Sequence, residues 1–145
     1  MELSSRVRYA LLALLELASH YHQGNYLQID QIAANHKIPD RYLAQLLMAL
    51  RRCGIVRSQR GAKGGYALAK EPRKITMPEV LTCLEGSKNL EPESQTVSAT
   101  PETAVIESVW HEATTAALAV FQRHSLQDLL EKRDESQRSN PMYYI

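Results

Sequence analysis

Between Ser5 and about His20 the apolar residues Val7, Ala10, Leu11, Leu14, Leu15 and Ala18 recur at spacings of three and four. That spacing predicts an amphipathic helix with Ser4 or Ser5 as its cap. Gly24 and Asn25 then signal a turn, and Ile29, Ile32 and Ala33 predict a short second helix ending near His36. Pro39 pre-sets the first dihedral of a third helix, Pro39 to Cys53, whose Leu43, Leu46, Leu47 and Leu50 share one face until Gly54 stops it. The period then falls to two. Val56, Ser58 and Arg60 alternate, "RGAKGG" turns the chain, and Tyr66 and Leu68 alternate again, which predicts a hairpin with a basic, glycine-rich tip.

Thr76 and Glu79 have the spacing of a capping box, and Ile75 and Val80 that of a hydrophobic staple, so a fourth helix is expected to run to Gly86. From Gly86 to Thr100 the residues are mostly Ser, Glu, Pro, Thr and Asn without periodicity, which predicts a mobile loop. Thr100 and Pro101 open a long helix carrying Ile106, Val109, Ala113, Ala116 and Val120 in alternating steps of three and four, a seam suited to a second helix. Ser125 and Asp128 cap a last short helix with Leu126, Leu129 and Leu130 on its apolar face, and the end "NPMYYI" is expected to be loose. The expected fold is mainly α with a small β-hairpin wing. Residues 1–85 would form a winged helix-turn-helix, 86–100 a flexible loop, 101–135 a dimerisation helix and a short packing helix, and 136–145 a tail.

A chain of 145 residues is long enough for one well-buried core. Its apolar stretch Tyr9 to Leu15 lies between Arg8 and Glu16, far short of the roughly 20 residues of a membrane span. The helical stripe continues beyond Glu16, so no signal peptide is read here and a cytoplasmic location is expected. The overall charge of +1 hides an asymmetry: residues 1–75 hold 12 Lys and Arg against 5 acids, a net of +7, and residues 76–145 hold 5 against 11, a net of −6. A basic half attracts a polyanion through counterion release, and an acidic half must serve another purpose.

A helix-turn-helix followed at once by a basic hairpin is the order in which the second helix of the pair enters the major groove and the hairpin is the wing. At the start of that helix Asp40, Arg41, Tyr42 and Gln45 are placed toward a groove, where Arg41 can fork onto guanine and Gln45 can pair with adenine. In the wing, Arg60 and Lys63 interleave with Gly61, Gly64 and Gly65, and positions without side chains let backbone approach a phosphate. A nucleotide-hydrolase phosphate loop is excluded, because Lys63 precedes Gly64 and a strand follows. His20 and His22 have no third ligand at recognisable spacing, and no nucleophile, base and orienting acid can be assembled, so neither a metal site nor an enzyme is expected. Cys53 and Cys83 lack Cys-x-x-Cys spacing and are read as reduced, half-buried core residues. Two functional classes remain: a DNA-binding regulator, and a winged-helix module that binds protein through its acidic long helix.

The blocks "SSRVRYALLALLELA", "PDRYLAQLLMALRRCGIVRSQRGAKGGYALA" and "ITMPEVLTCLEG" resemble the Rrf-two family of bacterial transcriptional regulators over most of the chain, most specifically from Leu47 to Tyr66. The resemblance implies a cytoplasmic homodimer paired through the long C-terminal helix, with two winged heads on a pseudo-palindromic promoter site in double-stranded DNA. It also implies that Tyr42 and its neighbours read the major groove and that Arg60 reaches the minor groove. Cluster-binding members carry three closely spaced cysteines before the long helix. Residues 86–104 hold none, and Glu107 stands near the place of the family's histidine ligand. No iron-sulfur cluster is therefore expected in the usual place; the alternative is a cluster held by Cys or His residues that a dimer brings together, for which Cys53, Cys83 and Glu107 are the first positions to substitute. A small-molecule or protein effector is left open.

Overall fold

Ser4 opens the first helix by accepting a hydrogen bond from the Val7 amide at 3.2 Å, and α1 then runs Ser5–Ser19. A computed structural model describes residues 2–86 and 100–139 of the chain. A short 3-10 turn, Tyr21–Gln23, leads to α2 (Ile29–His36), and Lys37, in the left-handed region at φ 55°, ends it. The third helix, α3, spans Asp40–Arg52 with Pro39 as its extended N-cap. Strands β1 (Val56–Gln59) and β2 (Gly65–Leu68) pair antiparallel, with Val56 opposite Leu68 and Gln59 opposite Gly65. Then come a 3-10 turn at Pro72–Lys74, α4 (Met77–Glu85), α5 (Pro101–Gln122) and α6 (Leu126–Ser139).

The core gathers around α1, which packs against α2, α3, α4, α6 and β2. Ala10, Ala13 and Leu14 of α1 are fully buried with Leu43, Leu47 and Leu50 of α3, Ile32 of α2, Ile55 before β1 and Val80 of α4. The alanines let neighbouring helices come close, and the leucines fill the space between them. The predicted staple residues Ile75 and Val80 are both fully buried.

The last helix returns to the winged head. Leu126 is fully buried in the same core, Leu130 nearly so, and Arg133 donates from Nη1 to Ser19 Oγ at 3.2 Å. A backbone clasp holds this return: Thr76 pairs with Ser125, Met77 N–H donates to the His124 carbonyl at 3.0 Å and Leu126 N–H to that of Ile75 at 2.9 Å. Ser125 and Asp128 cap α6 reciprocally, since Asp128 Oδ2 accepts from Ser125 N at 2.8 Å and Ser125 Oγ from Asp128 N at 3.2 Å. The backbone hydrogen bond from Ser125 and then that from its hydroxyl hold the Asp128 carboxyl below its usual value of 3.8.

Three expectations are corrected. Thr76 is the N-cap of α4 but makes no side-chain capping bond, and the Glu79 carboxylate that would complete the box is drawn instead to the ammonium of Lys70. The last helix continues to Ser139, four residues into the segment read as a loose tail, where Ser139 Oγ bonds back to the Glu135 carbonyl at 3.0 Å. Cys53 and Cys83 are joined in a disulfide, with Cα atoms 6.1 Å apart. Thirty residues apart in sequence, they meet because α4 packs on α3, a proximity that local spacing does not encode. The predicted mobile loop, apart from its end residues Gly86 and Thr100, and the final residues 140–145 lie outside the described residues.

Candidate nucleic-acid interface

The amphipathicity of α3 decides what its N-terminal end presents. Leu43, Leu46, Leu47 and Leu50 are buried, so the opposite face, with Arg41, Gln45 and Met48, is left in solvent. Arg41, Tyr42 and Gln45 line one open cleft of about 440 Å³ with Pro39 and Tyr9. The lining is mostly apolar and brings three ring-bearing residues together with a residue carrying a guanidinium and one carrying a side-chain amide. Such a shelf offers hydrogen-bonding groups to a base edge and apolar contact to a thymine methyl. Asp40 is exposed in the first turn of α3, where the helix dipole favours a carboxylate, and is not among the lining residues.

Tyr9, which sequence reasoning did not single out, stands edge-on to Tyr42 with ring centroids 5.6 Å apart and planes at 81°. It lies on α1 between the buried Val7 and Ala10, so its own position reads as helix flank, and its pairing with Tyr42 depends on how α1 packs on α3. Glu16 of α1 joins α2 through His36 Nε2 at 3.0 Å and Asn35 Nδ2 at 3.1 Å.

The wing tip leaves Arg60, Gly61, Ala62 and Lys63 exposed, closed by a Gly64 N–H bond to the Gly61 carbonyl at 3.0 Å. Gly61 has φ 107° and open space around it. Gly64 and Gly65 serve the interior: a Cβ on Gly64 would lie 2.2 Å from the Gln59 carbonyl oxygen, and one on Gly65 2.2 Å from that of Leu27. Leu27 runs beside β2 and exchanges hydrogen bonds with Tyr66 at 2.9 and 2.8 Å, a one-residue bridge on the edge of β2 away from β1. Gln28 Nε2 reaches the Ala62 carbonyl at 3.3 Å, and the Arg57 guanidinium sits 5.5 Å from the Tyr26 ring centroid. The segment 26–28 thus fixes where the wing points.

On α5, Ile106, Val109, Ala113, Ala116 and Val120 are all exposed. Val105 and Trp110, the latter 70% exposed, widen that apolar surface beyond the predicted seam. A tryptophan beside Val109 was visible in the sequence, but the strict three-and-four count passed over it. His20 turns its Nδ1 to the Glu16 carbonyl, 3.0 Å away, and among the described residues no three His, Cys, Asp or Glu side chains converge. No described helix is long and apolar enough to cross a membrane.

The profile of a family described as Rrf2, iron-dependent transcriptional regulator, matches residues 3–132. The chain belongs to the Rrf2 family. It is 33% identical to the HTH-type transcriptional regulator CymR of Bacillus subtilis over 145 residues, all of both chains. A putative HTH-type regulator of Synechocystis is 38% identical over 112 residues, 77% of this chain and 76% of the relative. Among solved structures, CymR, the global cysteine regulator of B. subtilis, superposes with TM-score 0.80 at 30% identity, covering 91% of this chain and 98% of that one. IscR of T. potens gives 0.79 at 31%, covering 94% and 91%. The winged helix fold and the place among DNA-binding regulators follow from these likenesses.

The family description names iron, and this chain's donor set does not fit a cluster. Residues 86–104 contain no cysteine, and the chain's two cysteines, joined here in a disulfide, would supply even when reduced only half of the four thiolates a cluster takes.

Proposed function

We propose that this Rrf2-family protein is a sequence-specific, DNA-binding transcriptional regulator, working in the cytoplasm as a homodimer on a pseudo-palindromic promoter site, without enzymatic activity and without an iron-sulfur cluster. The observation that carries this reading is the cleft at the start of α3, where Arg41, Tyr42 and Gln45 meet around an apolar floor while the opposite face of the helix is buried. Arg41 and Gln45 supply bidentate hydrogen bonds to base edges in the major groove. Asp40 lies at the edge of that contact. Arg60 enters the minor groove, and Lys63 with the backbone of Gly61 follows the phosphates, while Gly64 and Gly65 set the shape of the turn from inside. The exposed apolar stripe of α5 supports pairing of two copies, because an uncovered row of Ile106, Val109, Trp110 and Val120 on a long helix exceeds the scattered apolar residues of an ordinary surface. Two symmetry-related heads then place half-sites about one helical turn or a small multiple apart.

A mobility shift against the DNA upstream of the protein's own gene, repeated at several salt concentrations, tests the reading. Binding should be retained over unrelated competitor DNA and weaken steeply with salt. Equal affinity for every duplex would remove sequence specificity. Absence of binding would favour the interaction-module class, with α5 as the working surface.

A further inference from the structure

Cys53 and Cys83 stand outside everything the DNA contact uses. Cys53 is exposed at the C-terminal cap of α3; Cys83 is half-buried on α4, its sulfur 3.4 Å from the Ala49 carbonyl oxygen of α3. Their Cα atoms are 6.1 Å apart, a span that a disulfide bridges without backbone movement. The 30-residue separation encloses β1, the wing tip, β2 and most of α4, so the bond closes the base of the whole wing onto the end of the reading helix.

A protein that reads promoter DNA works where small thiols and thioredoxins keep cysteines reduced, and the disulfides that do form there are mostly transient and redox-sensing. A pair held at bonding distance in that compartment, with one member open to solvent, is a conditional bond. We propose that Cys53 and Cys83 form a reversible thiol–disulfide switch that takes a low-molecular-weight disulfide as its oxidant and sets DNA affinity through α3 and the wing, an inference that rests on the DNA-binding reading above.

The exposed Cys53 thiolate attacks one sulfur of the small disulfide; that S–S bond breaks, and one small thiolate leaves with the electron pair. Cys83, behind α3, then attacks the Cys53 sulfur through its own thiolate, the mixed disulfide breaks and the second small thiolate leaves. The two protons given up by the cysteines are taken up by the departing thiolates. Two protein thiols are oxidised and one small disulfide is reduced to two thiols; excess small thiol drives the reverse. The bonded state is the one described here, with reading helix and wing both in place. Closing the loop removes chain freedom that DNA would otherwise have to remove on binding, so the oxidised form binds more tightly.

The full-length protein is equilibrated in buffers of varied reduced-to-oxidised glutathione ratio, with free thiols counted by maleimide mass-tagging and affinity for its upstream DNA read by fluorescence anisotropy. Both thiols should vanish together without retained glutathione, and affinity should rise about fivefold or more along the same titration. Cys83→Ser should trap glutathione on Cys53, and Cys53→Ser and Cys83→Ser should both stay at the reduced affinity at every ratio. Should either variant fail to fold, the wild-type titration alone decides. Two thiols still free in oxidised glutathione alone, or a bond that forms while affinity stays constant, would overturn the proposal. Hydrogen exchange across residues 53–83 reads loop closure without DNA and should slow on oxidation. If thiols pair and exchange slows but neither form binds DNA, the DNA-binding reading fails instead.

Discussion

Replacing Gly65 with alanine perturbs the wing from inside, at a point DNA never needs to touch. The new Cβ would stand 2.2 Å from the Leu27 carbonyl oxygen and 2.6 Å from its carbon, both backbone atoms that cannot turn aside. The residue also sits at φ 138°, where an L side chain is strained. The cheapest relief is for the hairpin to swing away from Leu27, forfeiting the two Leu27–Tyr66 hydrogen bonds at 2.9 and 2.8 Å. Each contributes about 1 kcal/mol net. Dihedral strain adds about 1 kcal/mol, giving a loss of about 3 kcal/mol. In urea, where a domain of this size has a slope of about 2 kcal/mol per molar, the midpoint should fall by about 1.5 M. Gly61→Ala is the internal control: its Cβ meets open space, so only strain of about 1 kcal/mol at φ 107° applies. Equilibrium unfolding followed by circular dichroism measures both. A Gly65→Ala loss under about 0.5 kcal/mol, or one no larger than that of Gly61→Ala, would refute the argument that Leu27 fixes the wing.

Ala113→Glu, at an exposed position on α5, should turn the proposed dimer into a folded monomer; light scattering that finds wild type already monomeric at tens of micromolar, as an order of magnitude, removes the pairing proposal. Gln45→Ala should relax discrimination at one base pair per half-site by about 1–3 kcal/mol, whereas Arg60→Ala should weaken binding and lose preference for A·T-rich flanks; anisotropy titrations on single-base and flank variants separate the two, and equal losses on every sequence would leave phosphate contact alone. Asp128, whose carboxyl is held below 3.8 by its bonds from Ser125, stabilises the fold fully above about pH 4 and loses that contribution as pH falls through its lowered value. The stability gap between wild type and Asp128→Asn should therefore narrow on acidification, and a gap that widens below pH 4 would contradict the capping role.

What was legible in the sequence was what local spacing encodes. The three-and-four repeats of Val7 to Ala18 and of Leu43 to Leu50 identified helices and their buried faces, because one period fixes both. The exposed face at the start of α3 was legible for the same reason: burying the leucines leaves Arg41 and Gln45 outside. Contacts that span the chain were not. Tyr9 meets Tyr42, Leu27 braces Tyr66 and Cys53 bonds Cys83 only after α1, α3 and α4 have packed. The glycines of the wing show how a correct motif can conceal its physical cause. Composition suggested room for a phosphate at Gly64 and Gly65, yet both are confined by the protein's own backbone, and of the three only Gly61 faces open space. At Thr76 the capping-box spacing competed with Lys70 for Glu79, and the cation won.

The clasp between Thr76 and Ser125 constrains how the chain acquires its shape during synthesis. Leu126 and Leu130 complete a core whose other wall, Val7 to Ala18, is made first. A nascent chain that has released only the winged segment from the ribosome still exposes the apolar surface these two leucines cover. The head therefore reaches its final stability only after α5 has emerged and α6 has returned to α1. Contacts between such distant residues slow folding, since the intervening loop must close before they contribute. Translation arrested before residue 126 should leave a head that proteases attack readily, and extension past residue 130 should protect it. For this chain, the element that follows α5 is also the last one needed to finish the winged head.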